Sequence, residues 1–106
     1  MTTSDLTSIF AALADPTRRA IVERLAAGEA TAGQLAAPFG ISKPAISKHL
    51  KVLENANLIV RKKDAQWHLF QLQSEPLEIA SNWIAQYRQF WEDRLDALAE
   101  YLNRNP

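Results

Sequence analysis

Apolar residues in the first part of the chain recur at the three- and four-residue spacing of amphipathic helices. A first helix is predicted from about Ser4. Its apolar positions on one side of the helical wheel are Leu6, Ile9, Phe10 and Leu13. Asp15 and Pro16 then start a second helix, because Asp is a good N-cap and Pro suits the first helical position. The inward positions of this second helix are Ile21, Val22 and Leu25.

Two further helix starts follow closely along the chain. Thr31 and Gln34 have the spacing of a capping box and predict a short helix, which Gly40 ends. Ser42 is the N-cap of the next, longer helix. A short helix, a tight turn and a second helix form a helix-turn-helix, which the sequence predicts over residues 31–54.

The remaining third of the chain changes from strand to helix patterning. Residues 58–63 and 66–72 are rich in Ile, Val, Trp and Phe and predict two antiparallel strands with a charged turn at residues 64–65. Ser74 then opens a last helix, which continues without Gly, and with only an N-terminal Pro, to about Asn103. The predicted fold is mainly α with a small β-hairpin: four helices, two strands and a fifth helix.

The helix that begins at Ser42 has two unlike faces. Ile46, Leu50 and Leu53 form its buried stripe, and the opposite side has no bulky apolar residue. The residues of that outer side are Pro44, Ser47, Lys48, Lys51 and Asn55. Although the net charge of the chain is zero, residues 41–63 hold six Lys or Arg against one Glu, a local charge of +5. Such segregation is expected of a protein that binds a polyanion, although a solvated charged helix and hairpin would show the same count.

This helix supplies the first set of predicted nucleic-acid contacts. Lys48 is expected to reach guanine and Ser47 to pair with several bases, whereas the other two lysines of the helix are expected to hold phosphates. Ala45 offers a methyl-sized contact to thymine, and His49 either packs at the rim of the helix or touches DNA. The predicted contact residues are Ser42, Lys43, Pro44, Ala45, Ser47, Lys48, His49 and Lys51.

The hairpin is a second basic element. Its predicted contact residues are Arg61, Lys62, Lys63 and Gln66. A two-stranded wing with a basic tip fits the minor groove, where negative potential is strongest in narrow A·T-rich stretches. Charges on an edge strand also prevent aggregation. Beside a basic helix-turn-helix, DNA contact is the favoured interpretation.

The last helix carries an apolar stripe that one core cannot cover. The predicted helix is roughly 28 residues and about 42 Å long, and its stripe is wider than the roughly 100° that a surface helix needs. A twofold dimer would bury the same patch twice, with the first helix as its neighbour. The predicted interface residues are Leu6, Ile9, Phe10, Trp83, Tyr87, Phe90, Trp91, Arg94, Leu98 and Leu102. Arg94 either pairs with a carboxylate across the dimer or extends to its rim, and the aromatic residues are either core or the lining of an effector pocket.

Composition excludes several classes of protein. The 106 residues suit one domain, and the absence of Cys excludes disulfides, thiol catalysis and thiolate metal sites. The only two histidines, His49 and His68, lie in the proposed DNA surface, so neither a metal site nor a cofactor is expected. No Gly-rich phosphate loop and no nucleophile with a paired base is present, so catalysis is not expected. No apolar run approaches the roughly 18 residues of a membrane span, and no secretory signal is evident, so a cytoplasmic location is expected.

Three segments of the chain carry a family resemblance: FAALADPTRR at Phe10–Arg19, ISKPAISKHLKVL at Ile41–Leu53 and FWEDRLDAL at Phe90–Leu98. Together they resemble the ArsR/SmtB-type winged-helix repressors of bacteria. The last segment is similar to the metal-independent branch that includes the SdpR-type autorepressors. The resemblance covers nearly the whole chain and implies a homodimeric repressor that binds an operator. The positions at which metal-sensing members carry thiolates correspond here to Thr31 and Gly33, which are not thiolate ligands.

The resemblance and the patterning give one predicted organisation. Residues 1–106 form a single winged helix-turn-helix domain, in which 1–14 and 75–103 dimerise, 31–54 are the helix-turn-helix and 58–72 are the wing. Double-stranded operator DNA and a second copy are the expected partners, together with an unidentified effector ligand or protein. The alternative is a winged-helix module whose basic face binds an acidic protein. Its interface would normally present aromatic or Leu anchors, whereas the outer helix face here presents Ser47, Lys48 and Lys51.

Overall fold

The computed structural model describes residues 3–105 as six helices and three short strands. The helices are α1 Thr3–Leu13, α2 Pro16–Ala26, α3 Ala32–Ala36, α4 Lys43–Asn55, α5 Ser74–Ala85 and α6 Arg88–Arg104; the strands are β1 Ala30–Thr31, β2 Ile59–Asp64 and β3 Trp67–Leu72. A single 3₁₀ turn, Ala37–Phe39, connects α3 to the loop before α4. The predicted dimerisation segment 1–14 therefore begins outside the described residues.

Three predicted helix starts are confirmed by their capping hydrogen bonds. The Asp15 side chain accepts the N–H of Arg18 at 3.0 Å. Thr31 and Gln34 form the full capping box, with bonds of 3.2 and 2.9 Å. The Ser42 hydroxyl accepts the N–H of Ala45 at 3.3 Å. Each cap satisfies a backbone donor that the first helical turn leaves without an intrahelical partner.

The core is formed by apolar side chains from α1, α2, α3, α4 and the sheet. Its largest fully buried residues are Ile9, Ile21, Leu35, Ile46, Leu50, Leu53 and Leu58. The helix-turn-helix contributes four of these residues, three of them from α4. The apolar stripe of α4 is therefore packed in the core, and its opposite face is exposed to solvent. No described helix has the length and apolar content needed to cross a bilayer.

The sheet has one strand more than the predicted hairpin. Strands β2 and β3 pair antiparallel as expected, and β1 adds to the other edge of β3 in the order β1-β3-β2. The turn also lies one residue later than predicted, because Asp64 pairs with Trp67. The turn residues are therefore Ala65 and Gln66, and Ala65 has a left-handed φ of 56°.

The last helix is interrupted, which corrects the prediction of one continuous element. Between α5 and α6, the N–H groups of Gln86 and Tyr87 bond to the carbonyls three residues earlier, at 3.3 and 2.9 Å. This tighter turn follows the residue where α5 packs on α1, since the rings of Trp83 and Phe10 lie 5.7 Å apart in an edge-to-face arrangement. Helix α6 continues beyond that contact and buries none of its residues.

Candidate nucleic-acid interface

Helix α4 presents the outer face that its sequence predicts. Pro44, Ser47, Lys48 and Lys51 are all exposed, as is Lys43 at the first helical position. The apolar stripe on the other side is buried, with Ile46, Leu50 and Leu53 at 2% exposure or less. A face of two lysines, a serine and a proline allows close approach to a groove, because no large apolar side chain stands in the way.

The start of α4 offers an anion fewer backbone donors than most helix starts. Pro44 has no N–H, and the N–H of Ala45 is already bonded to the Ser42 hydroxyl. The Ser42 side chain therefore acts as a helix cap within the protein. Attraction of a phosphate to this end depends on the helix dipole and on the charge of Lys43.

His49 occupies the rim of α4, where it packs against α2. Its side chain is 24% exposed, with Nδ1 lying 3.9 Å from Asp15 Oδ2 and 3.4 Å from Arg18 Nη1. The sequence allowed the His49 ring either to pack at the rim or to touch DNA. In the structure the ring packs at the rim, beside these two partners. Ala45 lies half-buried on the same flank of the helix.

The basic residues of the wing fall into two groups. Arg61 is turned back onto the domain: its guanidinium bonds Glu54 at 3.1 Å and lies 5.1 Å from the centre of the Phe70 ring. Lys62, Lys63 and Gln66, nearer the tip, are exposed. The predicted contact set therefore divides into Arg61, which bonds the domain although 49% of its side chain is exposed, and three exposed residues nearer the tip.

Trp67 is an exposed wing residue that the sequence interpretation did not single out. It closes the hairpin opposite Asp64 and is 60% exposed. A strand places alternate residues on opposite faces, so the three-residue separation of Trp67 from the buried Phe70 already indicated an outward position. Trp67 adds a large apolar surface beside the wing lysines.

Two arginines of the Phe10–Arg19 segment bind the C-terminal end of α1. Arg18 donates from Nε to the carbonyl of Ala12 at 2.6 Å and from Nη2 to that of Ala11 at 3.2 Å. Arg19 donates from Nη1 to the carbonyl of Leu13 at 2.8 Å. Positive charge at a helix C-terminus is favourable, because the last carbonyls lack intrahelical partners.

The second predicted surface, for a partner subunit, lies on α5, α6 and part of α1. Its large apolar residues are exposed: Phe10, Trp83, Tyr87, Phe90, Trp91, Leu98 and Leu102. Arg94 extends over the Phe90 ring at 4.9 Å. Ile9 differs from the rest, since it is only 2% exposed within the protomer's own core, and Leu6 is half-buried. Ile9 therefore offers almost no surface to a partner.

An open apolar depression of about 360 Å³ lies at the α5–α6 junction and is lined by Trp83, Ile84, Tyr87, Phe90 and Trp91. The depression belongs to the same exposed surface as α6. Among residues 3–105, no group of three or more His, Asp or Glu side chains is placed to hold a metal ion.

Known proteins resemble this chain over most of its length. A family described as a helix-turn-helix domain matches residues 13–62. The transcriptional repressor SdpR of Bacillus subtilis is 38% identical over 82 residues, covering 77% of this chain and 91% of SdpR. The HTH-type transcriptional regulator Rv2034 of Mycobacterium tuberculosis is 40% identical over 92 residues, covering 87% of this chain and 83% of that protein.

Solved structures extend the likeness to the fold. The crystal structure of an ArsR family transcriptional regulator has a TM-score of 0.79 at 37% identity and covers 87% of this chain and 95% of the other. A possible transcriptional regulator for arsenical resistance has a TM-score of 0.69 at 38% identity and covers 88% and 94%. The chain is therefore a DNA-binding transcriptional regulator rather than an enzyme, and it belongs to the ArsR/SmtB-type family of winged helix-turn-helix repressors.

Proposed function

We propose that the protein is a homodimeric repressor, acting in the cytoplasm, that binds a palindromic operator, including one at its own promoter. Helix α4 enters the major groove of each half-site, and the wing contacts the flanking minor groove. The observation that carries the proposal is the presence of two unlike exposed surfaces on one small chain: a basic face without bulky side chains on α4, and an apolar face on α6.

The positions of the exposed side chains on α4 support a division of roles within the proposed DNA contact. Lys48 and Ser47 occupy the middle of the outer face, from which base edges are reached in a major groove. Lys43 at the start and Lys51 one turn beyond Lys48 flank that point and suit the phosphates on either side. On the wing, Lys62, Lys63 and Gln66 stand nearest the flanking groove.

A second copy of this chain is the partner proposed for α6. Trp91, Leu95, Leu98 and Leu102 follow one another at spacings of four, three and four residues, which places them in one line along the helix. All four are exposed, from 43% for Trp91 to 61% for Leu95. Large contiguous apolar patches mark interaction sites, and a twofold dimer covers the patch on both copies at once without leaving an open end.

Binding to DNA tests the first half of the proposal. Fluorescence anisotropy would measure the affinity of the purified protein for its own upstream DNA and for a scrambled duplex of the same composition, over a salt series. A dimer that neutralises on the order of 6–10 phosphates should lose affinity steeply with salt, and the upstream DNA should be preferred. Equal, weak binding to both duplexes would contradict the operator assignment.

Sedimentation tests the second half with a matched pair of variants. Leu98→Glu places a charge at the centre of the α6 stripe, and Ala99→Glu places the same charge on the next residue, outside the stripe. Burying an unpaired carboxylate costs several kcal/mol, so Leu98→Glu should weaken the dimer by about 100-fold or more. Both residues are exposed in the protomer, which should keep its helical circular dichroism. A monomeric wild type, or equal masses for the two variants, would contradict this interface.

A further inference from the structure

One polar cluster joins α1 and α2 to α4, the recognition helix proposed to enter the major groove. Arg18, in the first turn of α2, uses Nε and Nη2 to bind the last carbonyls of α1, those of Ala12 and Ala11. Its remaining nitrogen, Nη1, lies 3.4 Å from Nδ1 of His49 on α4. A single guanidinium therefore connects the end of α1 to the recognition helix.

The chemistry of the pair gives the hydrogen bond a direction. A guanidinium only donates hydrogen bonds, so in a bond with Arg18 the Nδ1 atom of His49 is the acceptor. Asp15 holds the other side of the cluster, since its Oδ2 accepts the backbone N–H of Arg18 at 3.0 Å and lies 3.9 Å from the same Nδ1. The ring is half-buried, which limits competition from water for this bond.

The other end of the connection is the proposed dimer surface. Phe10, one residue before the carbonyls that Arg18 binds, packs edge-to-face on Trp83 of α5 at 5.7 Å. Trp83 in turn contacts the Tyr87 ring at 5.0 Å, at the junction with α6. A continuous series of contacts thus runs from the apolar surface through α1 and Arg18 to His49 on α4.

We propose that Arg18 and His49 are positioning residues that set the angle of α4 relative to the dimer surface. This inference rests on the proposed homodimeric function. The apolar stripe of α4 holds the helix against the core, but apolar contact is not directional, whereas the Arg18–His49 hydrogen bond is. In a twofold dimer that angle sets the distance between the two recognition helices, and hence the half-site spacing that the protein accepts.

Operators of altered spacing test the proposal. Arg18→Met keeps the length of the side chain and removes every donor, and Arg19→Met is its matched control, because Arg19 binds α1 but not α4. Anisotropy would compare the native operator with operators whose half-sites are one base pair closer or farther apart. Arg18→Met should reduce the preference for native spacing roughly 2- to 30-fold, because residues that touch no ligand typically couple to binding by this amount. Dimer mass, salt dependence and the Arg19→Met preference should stay as in the wild type.

A second pair of variants covers the case in which Arg18→Met does not fold. His49→Gln offers a carbonyl acceptor to Arg18, whereas His49→Leu offers none. We expect His49→Gln to retain more of the spacing preference than His49→Leu. Equal preferences for these two variants, or an unchanged preference in a folded Arg18→Met dimer, would overturn the proposal.

An NMR measurement separates this inference from the proposed function, because it needs no DNA. In ¹⁵N spectra of the free protein, His49 should show an accepting Nδ1 and a protonated Nε2, and Arg18→Met should shift the Nδ1 signal. A Nδ1 signal unchanged by that substitution would refute the Arg18–His49 contact itself. Failure of the wild type to prefer any operator would instead refute the proposed function and leave the NMR result to decide the contact.

Discussion

The Asp15 side chain has two structural contacts in this domain. It caps α2 through the N–H of Arg18, at 3.0 Å, and it borders the His49 ring. Donation of that N–H lowers the pKa of the Asp15 carboxyl below its ordinary value, and the neighbouring side chains of His49 and Arg18 act in the same direction. The carboxylate therefore favours the folded state whenever it is ionised.

The pH dependence of Asp15→Asn follows from the direction of this shift. Since the folded pKa lies below the unfolded one, the stabilisation is complete above about pH 4 and is lost as pH falls through the folded pKa. Asn still caps a helix but carries no charge. Urea unfolding should show Asp15→Asn less stable than the wild type at pH 7, with the difference shrinking towards pH 2. A stability difference between the two proteins that stays constant from pH 7 to pH 2 would contradict a lowered pKa for Asp15 in the folded state.

Two lysines should separate base reading from phosphate binding. Lys48→Ala should lower affinity for the operator by about 1–3 kcal/mol and relax its sequence preference, because Lys48 is the lysine proposed to reach base edges. Lys63→Ala, on the wing, should weaken operator and scrambled DNA alike and reduce the steepness of the salt dependence. Equal loss on both duplexes for Lys48→Ala would show that this lysine holds only phosphate.

At the scale of elements, the turn before α4 depends on one backbone conformation. Gly40 follows the 3₁₀ turn with φ of 61°, and its N–H bonds the Ala37 carbonyl at 3.3 Å. A Cβ at this position would meet no atom within 4 Å. Substitution there therefore tests backbone conformation alone, without steric overlap.

Paired glycine substitutions should give opposite signs. Gly40→Ala should lower the free energy of unfolding by about 1–2 kcal/mol, the cost of a left-handed conformation for a residue with a Cβ. Gly33→Ala, inside α3, should raise it by up to about 1 kcal/mol, because Ala favours helix and its Cβ would be in ordinary contact with the Thr31 hydroxyl at 3.9 Å. Urea denaturation measures both. A neutral Gly40→Ala would show that the turn relaxes freely.

Elements that depend on local chemistry were predictable, and those that depend on distant contacts were not. Helix starts at Asp15, Thr31 and Ser42 follow from side chains within three residues of the cap. Strand β1 is only two residues long and exists because it pairs with β3, for example Ala30 with Phe70, 40 positions away. The break before α6 contains neither Gly nor Pro, so the sequence carried no signal for it.

The candidate site divides in the same way. The outer face of α4 follows from helical geometry, so its exposed lysines were predictable from spacing alone. The pairing of Arg61 with Glu54 and the contact of Arg18 with His49 depend on how α4 lies against β2 and α2. Such contacts between elements cannot be derived from periodicity, because it does not specify their relative placement.

The whole molecule is extended for its length. Its radius of gyration is 18.4 Å, whereas about 13 Å is expected of a compact chain of this size. The long axis measures 64 Å against 33 and 21 Å for the others, and α6 accounts for the difference, since it leaves the core without burying a residue. A helix with Phe90 at 62% and Leu98 at 53% exposure gains little from its own protomer.

Stability should therefore depend on protein concentration. When a partner binds only the folded chain, the apparent melting temperature rises with its concentration by mass action. Because the proposed partner is a second copy, thermal unfolding of the wild type should shift upward over successive tenfold increases in protein. Leu98→Glu should melt lower at each concentration, since its weakened dimer covers the α6 face less, whereas Ala99→Glu should follow the wild type. A wild-type melting temperature independent of concentration would mean that α6 is stable unpaired, and the apolar face would then require a different partner.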